Sequence, residues 1–407
     1  MTKLPGIILV LVVLTAALRI EFLFYLIYLC IGIYIWGRWV TPWSLGRLRI
    51  ERDFTDHIFL GETSDVTLRI KNESWLPLPW LELVEGSSID LRGRQATNEA
   101  LSLSGGEEVD FRYTVRATRR GHYRIGPLYL SSGDLFGFFD EQRRKHHADY
   151  ITVYPRINAL DHLGLRSRLP FGTIASRQRL FEDPTRPAGV REFRSGDSIR
   201  GINWKVSGHS GTLMVKTFQP AISLDSMILL NLNQDDYEER SWRGATEWAI
   251  ELAASFAAHL VERRQVVGLT TNGIGLLRET AGETPGLAMP PAIPPRAGRG
   301  NLMKILERLA RIEAGKSAPF AQWTGPACHS LGWGMSILVI TGSADGETCN
   351  ALHRLVRAGF NPILFVVERG PSFANVRERA RRLGFSAYEV TERADLAQWR
   401  RRPQIAS

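Results

Sequence analysis

The densest run of chemistry-bearing side chains lies between Arg186 and Pro220. It carries the cations Arg191, Arg194, Arg200 and Lys205, the carboxylate Asp197 behind Gly196, the amide Asn203 and the indole Trp204. A carboxylate among guanidinium groups makes charge-assisted hydrogen bonds, so Asp197 is expected to accept from one or two of the arginines and orient them. A hydrolase would need a nucleophile and a base in one cleft. Asp197, Ser198, Ser207 and His209 supply those residue types, with Asp197 and His209 as the pair to test. Ser, His and Asp occur together in many segments of this length, and no Gly-x-Ser-x-Gly, phosphate loop or His-Glu-x-x-His accompanies them. Cations beside Trp204 would suit base stacking, yet no basic, aromatic stripe continues beyond it. Neither catalysis nor nucleic-acid binding is expected. The functional surface is assigned to Arg191, Asp197, Arg200, Asn203, Trp204 and Lys205. Trp204 would anchor either the fold or a partner, and both roles stay open.

The elements that must position these groups follow from the apolar residues between them. Val190, Phe193, Ile199 and Ile202 alternate with the polar positions, as in a strand, a turn and a second short element. A solvated loop would not need those side chains, and a core strand would not carry four cations. A half-buried network of ion pairs and hydrogen bonds is the expectation.

The chain around it has 407 residues, enough for two or three domains, and is 44% hydrophobic, which argues for packed cores and against disorder. A net charge of +9 is basic, but below what a dedicated nucleic-acid binder carries. Cys30, Cys328 and Cys349 are too widely spaced for a disulfide framework or a zinc pattern.

Leu4 to Leu18 and Phe22 to Trp36 are apolar, interrupted by Arg19-Ile-Glu21. One helix over the whole stretch would be about 50 Å long against a hydrocarbon core of about 30 Å. A transmembrane helical hairpin over 1–43 is expected, with Trp36, Trp39 and Trp43 as an interfacial belt. Lys3 precedes it, and Arg38, Arg47, Arg49 and Arg52 follow, so both ends and the bulk of the chain are expected in the cytoplasm, at the inner membrane.

Residues 48–155 alternate apolar and polar between turn signals such as Leu60-Gly-Glu and Ser104-Gly-Gly, which predicts a β-sandwich. Asp134 to Phe139 is expected to plug it, and Arg143 to His147 to be a solvated basic face. Residues 156–188 read as a linker or strap. In 189–407, strands such as Met227-Ile-Leu-Leu and Ser336-Ile-Leu-Val-Ile alternate with helical spacing, which predicts a parallel sheet covered on both faces. Helices are expected over 245–264, 301–313 (with Asn301 as N-cap), 347–358, 373–383 and 394–402, and a loop over 282–295.

Val190-Arg-Glu-Phe193, Gly196-Asp197, Arg200, Ile202-Asn-Trp-Lys205 and Ser207 resemble the signature of the domain of unknown function 58 family. Where that family often has an Arg, this chain has His209. The resemblance implies a membrane-anchored protein whose last domain is α/β, von Willebrand factor A-like (Rossmann-like), and which acts with a MoxR-type AAA+ ATPase. An A-like domain would hold a divalent cation on Asp-x-Ser-x-Ser, a Thr and a later Asp. This chain has Asn231, Asn233 and Asp235 at the first set, Arg299-Gly-Asn301 at the Thr loop and Gly342 at the later Asp. Hard cations want carboxylates in the first shell, and Asp235 or Asp236 would have to supply one. A degenerate site at Asn231, Asn233, Asp235 and Asn301, without metal or other cofactor, is the expectation. The function expected is an adaptor or scaffold at the membrane lipid surface. A metal-dependent ligand-binding domain and a hydrolase are the alternatives.

Overall fold

The computed structural model describes residues 4–18, 20–87, 91–93, 97–133, 140–145, 149–158, 160, 182–194, 201–220, 225–276, 287–332, 334–370 and 373–392. The chain divides into two compact units, Met1–Pro155 and Arg156–Ser407.

The first unit opens with two apolar helices, α1 (Leu4–Leu18) and α2 (Glu21–Ile35), separated by Ile20 in an extended conformation. α2 does not stop at the tryptophans. It continues through a wide π turn, Trp36–Val40, into α3 (Thr41–Gly46). Pro42 has no N–H to donate, and in the turn before it Thr41 N bonds Trp36 O, five residues back. The continuous helix Glu21–Gly46 is long and apolar enough to cross a membrane. It ends inside the next layer, where Leu45 shares a core with Leu48, Leu68, Leu78, Leu83 and Leu130.

That layer is a pair of sheets. Its strands are β1 (Leu48–Asp53), β2 (His57–Phe59), β3 (Thr63–Asn72), β4 (Leu78–Ser87), β5 (Leu91–Gly93), β6 (Thr97–Leu103), β7 (Glu108–Ala117), β8 (Gly121–Gly133), β9 (Asp140–Lys145) and β10 (Asp149–Tyr154). One sheet has the order β1-β3-β7-β5, the other β2-β10-β8-β4-β6 with β9 on β8. Alternation does the work: Ser64, Val66, Leu68, Ile70 and Asn72 of β3 point inward. On the outer face Arg69 and Lys71 meet Glu108 across the strand pair, at 3.4 and 3.3 Å. Such exposed pairs contribute little, and the apolar core carries the stability. Residues 134–139, expected as a plug, lie outside the described residues.

The second unit begins with β11 (Glu182–Glu192), then α4 (Trp204–Ser210) and β12 (Met214–Pro220), with β11 and β12 antiparallel. Residues 182–187, expected in a linker, are therefore strand. They pair with β12 in an irregular register, shifted on both sides of Pro187, because proline has no N–H for the ladder.

The rest alternates as expected: β13 (Ser226–Leu230), α5 (Trp242–Glu262), β14 (Val267–Thr271), β15 (Ile274–Leu276), β16 (Leu287–Ala288), β17 (Ile293–Arg296), α6 (Arg299–Arg311), β18 (Ile312–Glu313), α7 (Phe320–Cys328), β19 (Ser336–Thr341), α8 (Gly346–Arg357), β20 (Asn361–Val366), α9 (Phe373–Leu383) and β21 (Ser386–Glu389). The main sheet has the order β17-β14-β13-β19-β20-β21, all parallel except β17 at the edge. The edge tolerates Pro294 and Pro295, whose missing donors would disrupt an interior strand. Part of the expected 282–295 loop is thus strand. Every residue of β13, β14 and β19 is buried, as two covered faces require. Phe256 of α5 meets Phe365 of β20 at 4.7 Å on one face, and α7, α8 and α9 cover the other. Sequence reading missed α7, because Gly325-Pro326 looks like a break. The expected 394–402 helix lies outside the described residues. Phe365→Ala should destabilise this unit by about 3–5 kcal/mol, measured by urea unfolding; a loss under about 1 kcal/mol would contradict the packing described.

Candidate functional site

The ribbon of β11, α4 and β12 has an internal frame and an outer surface, made by different residues. The frame starts at the pairs Arg191↔Val215 and Glu192↔Met214, extended by Phe193 N on Leu213 O at 2.8 Å. Ile202 returns to bridge Val215, and both are buried. Asn203 N then bonds Met214 O at 2.8 Å, which fixes where α4 begins. The Asn203 side chain caps that helix by accepting from Val206 N at 3.4 Å, the usual role of an amide at this position. Ser207 Oγ donates to Asn203 O and accepts from Met214 N, each at 2.9 Å. Gly211 ends the helix with φ +71°, a left-handed conformation that favours glycine.

With the frame closed on itself, the next side chain is left outside. Trp204 is 67% exposed, Lys205 and His209 are exposed, and the ribbon also exposes Val190 and Leu213. Arg191 is half-buried and donates to Glu192 O at 3.1 Å. Asp197 and Arg200 lie outside the described residues, and so does the expected pairing between them. Of the six residues assigned to this surface, Asn203 is a frame residue, Trp204 and Lys205 are outward, and Arg191 lies between. Ser207, considered earlier as a hydrolytic serine, is held by two backbone partners.

The strand ends form a second cluster. The main sheet reverses its order between β13 and β19, and ligands of such sheets bind at that point, beyond the carboxyl ends of the strands. Here the position is filled by side chains that bond one another. Asn231 Nδ2 donates to Asp236 Oδ2 at 3.0 Å and to Thr341 Oγ1 at 2.9 Å. Asn233 Nδ2 reaches the same Asp236 oxygen at 3.1 Å, and Phe320 N, the first of α7, reaches it at 3.2 Å. Asn272 Nδ2 donates to Asn231 Oδ1 at 2.7 Å, and Asn272 Oδ1 accepts from Leu232 N at 2.7 Å. Asn231, Asn233, Asn272 and Thr341 are all at most 1% exposed, so each of these bonds matters. Asp236 also stands at the positive end of α7, where a carboxylate is favoured.

Tyr237 closes the group by donating to Asn231 O at 2.5 Å, and burial, with Glu368 and Asp236 adding to it, pushes its phenol well above the ordinary range. Gly342, where the metal-binding pattern would have a carboxylate, has no room for one. A Cβ there would lie 2.4 Å from the Tyr237 ring and 2.8 Å from Asp236 O.

Two of the four residues of the expected degenerate site belong elsewhere. Asp235 is exposed beside the cluster, and its neighbour Asp236 is the hub. Nothing in the spacing separates two adjacent aspartates; the turn Gln234–Asp236 does. Asn301 lies at the other end of the sheet, donating to Val267 O at 2.7 Å and Arg296 O at 3.1 Å, and Gly298 is the N-cap expected of it. Asn272 was not anticipated. Cys328 and Cys349 are buried free thiols, and burial pushes Cys328 up to about 12.

Asn203→Ala should cost about 0.5–2 kcal/mol through the lost cap, read from the denaturation midpoint. Asn231→Asp should be pH-dependent. It would put a second carboxyl oxygen about 3 Å from Asp236, so the folded state holds a proton more tightly than the unfolded state does. The variant's deficit is then largest above the ordinary carboxylate range and shrinks as pH falls through it. A deficit that grows on acidification would refute the arrangement.

Residues 189–329, from within β11 to the end of α7, match the family described as protein of unknown function DUF58. An uncharacterized protein of Bacillus subtilis, YeaD, is 22% identical over 186 residues, 44% of this chain and 46% of that protein, so the likeness spans less than half of either. Among solved structures, an Escherichia coli alpha-2-macroglobulin spanning domain MG7 to the C-terminus is 24% identical over 27% of this chain and 17% of that one, with TM-score 0.24. The CARDB domain of a Pyrococcus furiosus protein is 16% identical over 26% of this chain and 91% of that one, with TM-score 0.19. The structural likenesses are too slight to argue from. The likeness to the DUF58 family is thus shown for residues 189–329, about a third of the chain.

Proposed function

We propose that the protein is a membrane-anchored adaptor whose β11–α4–β12 ribbon docks another protein, with a MoxR-type AAA+ ATPase as the partner implied by the signature residues. In this reading α1 and α2 are a transmembrane hairpin in the inner membrane, and both units face the cytoplasm. Their exposed side chains support it: Leu9, Val10, Val13, Phe22, Tyr25 and Tyr28 are each more than 60% exposed, an apolar surface that water would not favour. The second unit is read as von Willebrand factor A-like, supported by its strand order and its single antiparallel edge strand.

The observation that carries the docking reading is Trp204. A tryptophan 67% exposed on a capped helix contributes little to its own fold, and exposed aromatics are the anchors that partners bury. Against hydrolysis stands Ser207, engaged on both sides by backbone. Against metal-dependent capture stand Asn231 and Asn233, which aim N–H donors, not lone pairs, at the Asp236 carboxylate.

Trp204→Ala should keep the unfolding free energy within about 0.5 kcal/mol of wild type and lose the crosslinked ATPase in a pull-down from membranes. An unfolded variant, or a folded one that still captures the ATPase, would refute the proposal.

A further inference from the structure

The first unit has a second presented indole, away from the ribbon. Trp75, between β3 and β4, is 77% exposed, the most exposed large apolar side chain among the described residues, ahead even of those on α1 and α2. It is not a loose loop tip. Asn72, fully buried, donates from Nδ2 to Leu76 O at 2.9 Å and to Ser104 O at 3.0 Å, and its Oδ1 accepts from Ser74 N at 3.0 Å and Ser74 Oγ at 2.6 Å. Gly105, in the adjoining turn, packs so closely on this loop that a Cβ would stand 2.3 Å from Trp75 O. The backbone on both sides of the indole is fixed, and the ring still faces outward.

Its position in the fold says what it faces. Leu48 pairs with Asn72, and Glu73 N bonds Arg47 O at 3.2 Å, so the loop sits at the end of the sandwich where α3 enters. That junction carries Trp39, 68% exposed, and Trp43, 37% exposed with the Arg47 guanidinium 4.2 Å over its ring. Acidic groups at this end include Glu73, which stands 3.7 Å from Arg49, Glu107, which accepts from Ser104 N at 2.6 Å, and Glu51 and Glu108, paired with Arg49 at 2.7 Å and Lys71 at 3.3 Å. The exposed Arg38 and Arg47 leave the junction suited to anionic headgroups. An amphipathic ring with one N–H donor fits the boundary between headgroups and acyl chains better than it fits water.

We infer that the β3–β4 loop is a second membrane contact, with Trp75 inserted at the lipid headgroup level beside the emerging helix. It rests on the membrane-anchor reading above. A helix alone leaves the sandwich free to tilt, whereas a helix and a rigid loop with an indole hold it in one orientation on the bilayer.

The test uses the full chain, wild type and Trp75→Phe, reconstituted in phosphatidylcholine–phosphatidylglycerol vesicles with and without lipids brominated high on the acyl chain. The difference between the two proteins isolates the Trp75 fluorescence. It should be quenched by the brominated lipid and protected from aqueous iodide. A difference signal quenched by iodide and indifferent to bromine overturns the inference while the other tryptophans still report the anchor. If no tryptophan of either protein responds to brominated lipid, the anchor reading falls as well, and this inference with it.

Discussion

A half-buried carboxylate attracts donors, and at the carboxyl ends of the second unit's strands those donors are side-chain amides and a helix N–H. Asp236 collects Asn231, Asn233 and Phe320, and Asn231 in turn is held by Asn272 and Thr341. The group ties together the ends of β13, β14 and β19 and the start of α7. A cation at such a place would do the same job through lone pairs. The amides do it through hydrogen bonds that stay inside the chain, and those that end on the Asp236 carboxylate are the stronger ones. Tyr237 and Gly342 then close the remaining space, one by filling it and the other by having no side chain.

The same logic runs through the ribbon. Asn203, Ser207 and Met214 satisfy one another, and Gly211 lets the chain turn back, so α4 stands on β12 without help from Trp204. Residues that are adjacent in the motif therefore have separate duties. Asn203 holds the helix, and Trp204, one residue on, begins an outward face. The frame leaves most of the indole's surface exposed.

In the first unit the connection between helix and sandwich is continuous. α2 runs through the π turn into α3, and Leu45 is shared with the sandwich core. Trp75 stands next to this junction on a loop held by Asn72, so the end of the sandwich nearest the helix carries aromatic side chains on more than one segment.

Much of the architecture could be read from the chain itself, because apolar runs, period-two alternation and fully apolar strands report burial locally. The two leading helices, the strands of the sandwich and the alternation of the second unit all came from such patterns, and the signature residues pointed to the ribbon. The misses had local causes of the same kind: Gly325-Pro326 hid α7, and the prolines near residue 187 made strand look like linker. What only the folded chain decided was which polar residues meet. Asn231 finds Thr341 and Asn272, Asn301 goes to the opposite end of the sheet, and Asp236 takes the place considered for Asp235. The pattern of residues along a strand says which face is buried; it does not say which strand ends lie side by side, and hydrogen bonds form between neighbours in space. The exposure of Trp204 and Trp75 belongs to that second kind of knowledge, since an indole's surroundings are set by elements far from it in the chain.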